Sequence, residues 1–274
     1  MADQGSVIGG AVSWVSVGLA LVATLRSGSA WAATAALPAC LPPPAGDVQV
    51  TQVQDRGVLL LKDRRTVKLE SLLWPSDSDG AAASLAQQAR NRLAALVANR
   101  SVELRIAAPK TDRYGRLRAQ VVFGGTADPW LQREILREGL ARVAIAPDRT
   151  ECATALYAAE AEARAAQRGL WAYPAYAIRT PESLRWRDLG TFQIVEGTVQ
   201  NVAVRSSRGY LNFGRNWRTD FTIVIQPHDM KAFRAANVDP YSYANKTVRV
   251  HGWVDRLNGF EIEASSPAQI EFLK

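Results

Sequence analysis

The order of strand-like and helix-like segments between Asp47 and Trp171 constrains the fold more than any other feature. Short strand-like segments end at Pro75, and an Ala-rich segment with helical spacing follows over residues 81–99. Two strand-like segments and two further helices, separated by a short strand, complete the region. Because several strands sit beside segregated helices, the order predicts an α+β fold around a small barrel of the OB type.

A second strand-rich block occupies residues 191–274. A short helical segment, Met230–Ala236, falls between its third and fourth strands. The five predicted strands are Phe192–Val204, Tyr210–Phe213, Phe221–Ile225, Thr247–Val254 and Glu261–Glu263. Five strands with a helix before the fourth predict a second, smaller OB-like β-barrel made almost wholly of strands.

The N-terminus carries the pattern of a secretory signal. Residues 12–25 are almost wholly apolar, and Ala30 and Ala32 occupy the −3 and −1 positions of a cleavage site after Ala32. The apolar run is shorter than the ~20 residues of a membrane-spanning helix. A secretory signal usually begins with a positively charged region, but residues 1–10 contain no Lys or Arg. An uncleaved membrane anchor is therefore the alternative.

These patterns divide the chain into five parts and place it outside the cytoplasm. We predict a periplasmic or secreted protein with the following organisation: signal peptide 1–32, Pro-rich arm 33–46, first domain 47–174, linker 175–190 and second domain 191–274. The formal net charge of +7 favours a polyanionic partner, such as nucleic acid, anionic lipid or acidic glycan.

The chain has two cysteines, Cys40 and Cys152. Two cysteines are too few to form a structural zinc site by themselves. In an oxidising compartment they are expected to pair, which would join the N-terminal arm to the start of a helix. Two separate buried thiols are the alternative.

Four motifs in the first domain follow one another at characteristic spacing. They are Thr111–Leu117 (TDRYGRL), Leu136–Val143 (LREGLARV), Ala159–Arg164 (AEAEAR) and Gly169–Trp171 (GLW). Together they make residues 47–171 resemble the staphylococcal nuclease (thermonuclease) family. The resemblance implies a nuclease-type OB barrel with three helices.

The resemblance also implies where the catalytic groups of that family belong. Active members bind calcium through two aspartates, activate water with a glutamate and neutralise the phosphate with two arginines. Aligned on these motifs, the aspartate positions become Gly57 and Leu73, the glutamate position becomes Ser76, and one arginine becomes Lys68. Of the five groups only Arg116 survives.

Loss of the carboxylates predicts a protein that does not cut nucleic acid. Glycine and leucine offer no oxygen ligand from a side chain, so we expect no metal and no other cofactor. The alternative is an active calcium-dependent phosphodiesterase that uses a rearranged site, for which the substitutes are Glu70, Asp77 and Asp79. A third reading is an envelope scaffold whose barrels bind protein.

Two groups of residues are candidates for holding a polyanion. In the first domain they are Lys68, Arg113, Tyr114 and Arg116. In the second domain they are Arg205, Arg208, Tyr210, Arg215, Trp217 and Arg218. Cations that follow a phosphate backbone, interleaved with aromatics that stack on bases, are typical of OB barrels that bind single strands. Turn architecture is the alternative for the first group, and an ordinary hairpin with solvent-facing arginines is the alternative for the second.

The two histidines, His228 and His251, show no Ser-His-Asp spacing. Since His251 lies in a predicted strand, we expect it to be packed in the interior. The sequence as a whole predicts an exported, catalytically inactive, nuclease-like protein that binds nucleic acid or another polyanion.

Overall fold

The computed structural model describes residue 9 and residues 36–75, 82–125, 128–216 and 218–273. Residues 34–274 form one compact unit. The predicted signal peptide lies outside the described residues except for Gly9, as does the loop that holds Ser76, Asp77 and Asp79. In the described ranges, no helix has the length and apolar character needed to cross a membrane.

The first half of the unit is a five-stranded barrel with helices beside it. Its elements are β1 (Pro44–Val53), β2 (Val58–Leu61), β3 (Thr66–Leu69), β4 (Leu72–Leu73), α1 (Ala82–Val97), β5 (Ser101–Arg105), β6 (Leu117–Val122), α2 (Leu131–Arg137), β7 (Arg142–Val143) and α3 (Ala153–Ala165). The closed order is β1-β2-β3-β6-β5, and β3 runs parallel to β6. We call this part the first barrel, and its fold is the one predicted.

Alternation and helical spacing explain why these segments fold as they do. In β3, Val67 and Leu69 are buried and Lys68 between them is exposed, which is the period of a half-buried strand. On α1, Ala89, Leu93 and Val97 are buried at four-residue spacing and face the barrel. Burial of one leucine side chain is worth roughly 1.5–3 kcal/mol, so these stripes contribute substantially to the stability of the first barrel.

The second half contains seven strands and one α-helix among the described residues. They are β8 (Phe192–Thr198), β9 (Asn201–Arg205), β10 (Arg208–Asn212), β11 (Thr222–Ile225), α4 (Met230–Ala235), β12 (Thr247–Arg256), β13 (Phe260–Glu263) and β14 (Ile270–Phe272). The strands pair in the order β9-β10-β11-β13-β12, and β8 and β14 both pair with β12. We call this part the second barrel.

The predicted strand Phe192–Val204 is two strands, because the chain changes partners in its middle. The backbone N–H of Val199 donates to Lys246 O beside β12 (2.9 Å), whereas that of Gln200 donates to Asn212 O in β10 (2.8 Å). The sheet therefore returns on itself through one bent strand formed by β8 and β9. Its strand order matches that of the first barrel, and its parallel β11–β13 pair corresponds to the parallel β3–β6 pair there.

Several predicted boundaries were wrong. The Pro-rich arm ends earlier than predicted, because β1 begins at Pro44, and proline is tolerated at the first position of a strand. The predicted linker contains 3-10 turns at 181–183 and 186–188, and a third turn, at 174–176, spans its start. Strand β14 was not predicted.

The two barrels share a packed interface. A buried apolar cluster joins α1 and α3 to the second barrel through Leu85, Ala163, Trp171 and Ile194. Beside this cluster, the buried guanidinium of Arg142 donates to Phe192 O (2.7 Å). The segment between the barrels is therefore part of the core and not a free tether.

Cys40 and Cys152 form a disulfide with their Cα atoms 5.2 Å apart. The bond joins the segment before β1 to the start of α3, as the sequence predicts. The chain has no free cysteine.

Candidate functional site

Gly57 lies at the predicted position of a metal-binding aspartate, directly before β2. It is buried and has a φ of +67°, a backbone conformation that side chains other than glycine rarely adopt. The Trp74 indole packs on it so closely that a Cβ atom at Gly57 would meet Cε2 of Trp74 at 2.2 Å. The Trp74 indole therefore fills the space that an aspartate side chain would need at this position.

The other predicted metal position, Leu73, is half-buried in β4 and pairs with Arg142 of β7. Ser76 lies outside the described residues. Near Gly57, the Asp55 carboxylate is ion-paired with Arg90 of α1. Among the described residues, none of these positions presents a pair of carboxylates to a common point.

The Asp112–Arg116 turn is held together by its own aspartate. Asp112 Oδ1 accepts the N–H groups of Tyr114 (2.9 Å) and Arg116 (3.1 Å), and its Oδ2 accepts from Arg116 Nε (2.8 Å). Burial alone would raise the pKa of the Asp112 carboxyl, and these hydrogen bonds outweigh it and hold the pKa below its ordinary value. Arg116 thus serves turn architecture, the alternative to ligand binding.

Tyr114 at the tip of this turn does not pack in the interior. Its side chain is 67% exposed, and the guanidinium groups of Arg113 and Arg116 lie 4.8 and 5.1 Å from its ring centre. Lys68 is exposed on β3, opposite Arg118 of the parallel strand β6. The four predicted cationic and aromatic residues of the first barrel therefore flank adjacent strands, but Arg116 is already ion-paired.

Glu70, one candidate substitute for a lost catalytic carboxylate, is buried and held by two arginines. Arg118 Nε donates to its Oε1 (2.6 Å), and Arg149 Nε lies 2.7 Å from its Oε2. Asp148 also binds Arg118, through Nη1 (2.6 Å). This structural ion cluster was not predicted, since its members are far apart in sequence, and it engages both oxygens of Glu70 with arginine.

The second barrel carries an open groove of about 800 Å³ over the outer face of β9, β10, β11 and β13. Arg205, Tyr210 and Arg215 line it, together with the β12–β13 turn at Leu257–Gly259. Gly259 lets this turn lie against the backbone of the loop between β10 and β11, since a Cβ atom at Gly259 would meet Asp220 O at 2.3 Å. The structure thus gathers three of the predicted residues along one concave surface.

A polar row crosses the floor of this groove. Its members are Asn201, Asn212, Thr222 and Glu261, which occupy matching register positions on four adjacent strands. Within the row, Thr222 Oγ1 donates to Asn212 Oδ1 (3.2 Å). Burial, and then repulsion by Asp255 and Glu263, raise the pKa of the Glu261 carboxyl. The row was not predicted from the sequence. Each of its residues looks like an ordinary outward-facing strand position, and only the pairing of the four strands aligns them.

The remaining candidate residues of the second barrel lie outside the groove lining or outside the described residues. Arg208 is half-buried opposite Arg205 in register. Arg208 and Arg218 are not among the described residues that line the groove, and Trp217 lies outside the described part of the chain. His251 is 1% exposed, with its Nε2 2.9 Å from Glu271 Oε1 and its ring centre 4.4 Å from that of Tyr157, so it is packed between the barrels.

Comparison with known protein families gives a match to part of the first barrel, from β3 onward. Residues 66–173 match the family model described as Staphylococcal nuclease homologue. The matched range begins at β3 and includes α1–α3 and the Asp112–Arg116 turn, whereas the second barrel lies beyond it. A comparison with curated proteins gives no match.

Proposed function

We propose that this chain, whose first barrel is a staphylococcal nuclease homologue domain, is an exported protein that binds nucleic acid or another polyanion without cutting it. The observation that carries the proposal is the groove of the second barrel, which Arg205, Tyr210 and Arg215 line above a floor of two amides, a hydroxyl and the Glu261 carboxylate. Arginines attract a phosphate backbone, and an aromatic ring provides a surface on which a base stacks.

The first barrel supports the non-cutting part of the proposal. Phosphodiester hydrolysis of this type needs a cation held by carboxylates, which generates the nucleophile and stabilises the transition state. Here the Trp74 indole occupies the space beside Gly57, and Glu70 is held by Arg118 and Arg149. We infer that the domain retains the nuclease scaffold for binding or assembly and has lost its chemistry.

Export is supported by two independent features. The N-terminal segment has the order of a secretory signal, and the disulfide between Cys40 and Cys152 is a bond that oxidising compartments favour. Detection of the mature chain, cut after Ala32, in a periplasmic or culture fraction would test this part by itself.

The binding test measures fluorescence anisotropy with labelled single-stranded DNA, duplex DNA and heparin over a range of salt concentrations. We expect single-stranded DNA to bind with a salt-dependent affinity. Because each contacted phosphate of a single strand contributes ~0.7 to the slope of log affinity against log salt, the Arg205→Ala/Arg215→Ala variant should lower the slope by roughly 1–1.5.

A charge-matched control variant distinguishes binding by the groove from binding that depends only on the net charge of the protein. Lys231 and Arg234 are exposed on α4 of the same barrel, and replacing both with Ala removes the same charge from another surface. If this variant and the groove variant lose equal affinity, binding does not depend on the groove. If no polyanion binds at low salt, the partner class is wrong, and capture of a protein from a periplasmic extract would favour the scaffold reading.

The catalytic half of the proposal has a separate test. Purified protein is incubated with DNA and RNA in calcium, in magnesium and in EDTA. We expect no cleavage in any condition. Metal-dependent degradation that disappears in an Arg116→Ala variant would establish an active nuclease and overturn this half of the proposal, whatever the binding result.

A further inference from the structure

Three side chains with metal-ligating atoms converge in the second barrel, at the ends of β11 and β13. They are His228 and Asp229, in the turn between β11 and α4, and Glu263, the last residue of β13. Their ligand atoms all lie within 4.8 Å of one another. The parallel pairing of β11 with β13, which sets Glu263 opposite Val224, brings the two segments together.

Asp229 is the unusual member, because it is buried without a hydrogen-bond partner. The residue is 8% exposed, and its Oδ2 accepts no hydrogen bond from the described residues. His228 Nε2 lies 3.1 Å from that oxygen, but the two atoms are not aligned as a hydrogen bond. A buried carboxylate oxygen without a donor is costly, and such groups often mark the place of an ion.

The electrostatics of the cluster agree with this geometry. Asp229 and Glu263 carry like charge, and their ligand atoms lie within 4.8 Å of each other. Two carboxylates are thus held close together, one of them shielded from water. A bound cation would remove the repulsion and supply the missing partner of Oδ2.

The surrounding backbone holds the cluster in place. Gln226 Nε2 donates to Glu263 Oε2 (2.8 Å), which orients that carboxylate. The N–H of Asp229 donates to Gln226 O (3.0 Å), which closes the turn that carries both His228 and Asp229. Hydrogen bonds that orient ligands in this way are typical of metal sites.

We propose that His228, Asp229 and Glu263 bind a divalent transition metal ion of the zinc type. One imidazole and two carboxylates match the ligand preferences of zinc and its neighbours, whereas calcium and magnesium prefer oxygen ligands alone. Three protein ligands leave coordination positions for water or a ligand atom. The site is distinct from the calcium positions that the nuclease resemblance implies at Gly57 and Leu73.

The test is a calorimetric titration of Zn²⁺ into metal-free protein without an affinity tag. We expect one ion per chain, with calcium unable to compete at a tenfold excess. His228→Gln and Glu263→Gln should each weaken zinc binding at least tenfold. The chain has no free cysteine to bind zinc, and His251, its other histidine, is buried.

Glu261→Gln is the matched control, since it removes one negative charge two residues away without removing a proposed ligand. This variant should change zinc affinity less than about twofold. Failure of zinc to bind at millimolar concentration would overturn the proposal, as would equal binding by the wild-type protein and the His228→Gln variant. Co²⁺ supplies a second readout, because a visible absorption band that the wild-type protein shows and His228→Gln lacks requires the imidazole as a ligand.

Discussion

The indole of Trp74 rests directly on the backbone of Gly57, where an added Cβ atom would lie 2.2 Å from Cε2 of the ring. This contact couples the two positions. Glycine at position 57 makes room for the indole, and the indole at position 74 excludes a side chain from position 57. An aspartate introduced at position 57 alone would therefore collide with the ring.

Gly57→Ala is expected to lower the free energy of unfolding by about 2–4 kcal/mol. The added methyl group meets both the Trp74 ring and a positive φ, and strain of each kind costs on the order of 1–3 kcal/mol. Urea denaturation measures the change.

A double-mutant cycle distinguishes the ring contact from the backbone strain. Trp74→Ala removes a buried side chain and should itself cost about 3–5 kcal/mol. In that background, Gly57→Ala should cost at least ~1 kcal/mol less than in the wild type. Additive effects would show that the indole does not confine Gly57.

Reduction of the Cys40–Cys152 disulfide should destabilise the protein. The bond closes a loop with a sequence separation of 112 residues, and disulfides of this kind typically contribute about 2–4 kcal/mol. Thermal melts with and without dithiothreitol measure the loss. The Cys40→Ser/Cys152→Ser variant should melt near the reduced wild type and be indifferent to the reagent; sensitivity of this variant to dithiothreitol would contradict the assignment.

Asp148 should make stability depend on pH in the acid range. Its hydrogen bonds with Arg118 hold the pKa of the carboxyl below the ordinary value of 3.8. The stabilisation is therefore complete above about pH 4 and is lost as the pH falls through the depressed pKa, because the unfolded chain binds the proton first.

Urea titrations between pH 6 and pH 2 measure this effect. The free energy of unfolding should fall less steeply with decreasing pH for Asp148→Asn than for the wild type. Since the Asp148 side chain is 43% exposed, the difference should stay below ~1 kcal/mol and shrink in high salt. Asp47→Asn, at an exposed aspartate of β1, is the control for net charge. Equal slopes for Asp148→Asn and the wild type would show that the ion cluster does not titrate as described.

Tyr210→Ala should weaken binding of single-stranded DNA by roughly 5- to 150-fold, because stacking of one base on an aromatic ring is worth ~1–3 kcal/mol. Tyr210→Phe should retain most of the affinity. Tyr241, which is 52% exposed and lies outside the groove lining, provides the control substitution to Ala. If Tyr241→Ala weakens binding as much as Tyr210→Ala does, the groove is not the site.

The architecture was predictable wherever it depends on residues that lie close together in the chain. Alternating Val67 and Leu69, the helical stripe of α1 and the Asp112–Arg116 turn each encode their own local structure, and their order identifies the first barrel. The same motifs carry the resemblance from which Gly57 and Leu73 are predicted to stand at metal-binding aspartate positions. These features depend on backbone period and turn chemistry, which are local properties.

Only the tertiary structure decided which distant residues meet. The indole of Trp74 on Gly57, the hold of Arg118 and Arg149 on Glu70, and the polar row that ends at Glu261 all arise from strand register and barrel closure. The approach of Glu263 to the buried Asp229 has the same origin. Sequence specified the barrels because hydrophobic period is local, whereas the contents of each site depend on contacts between strands far apart in the chain.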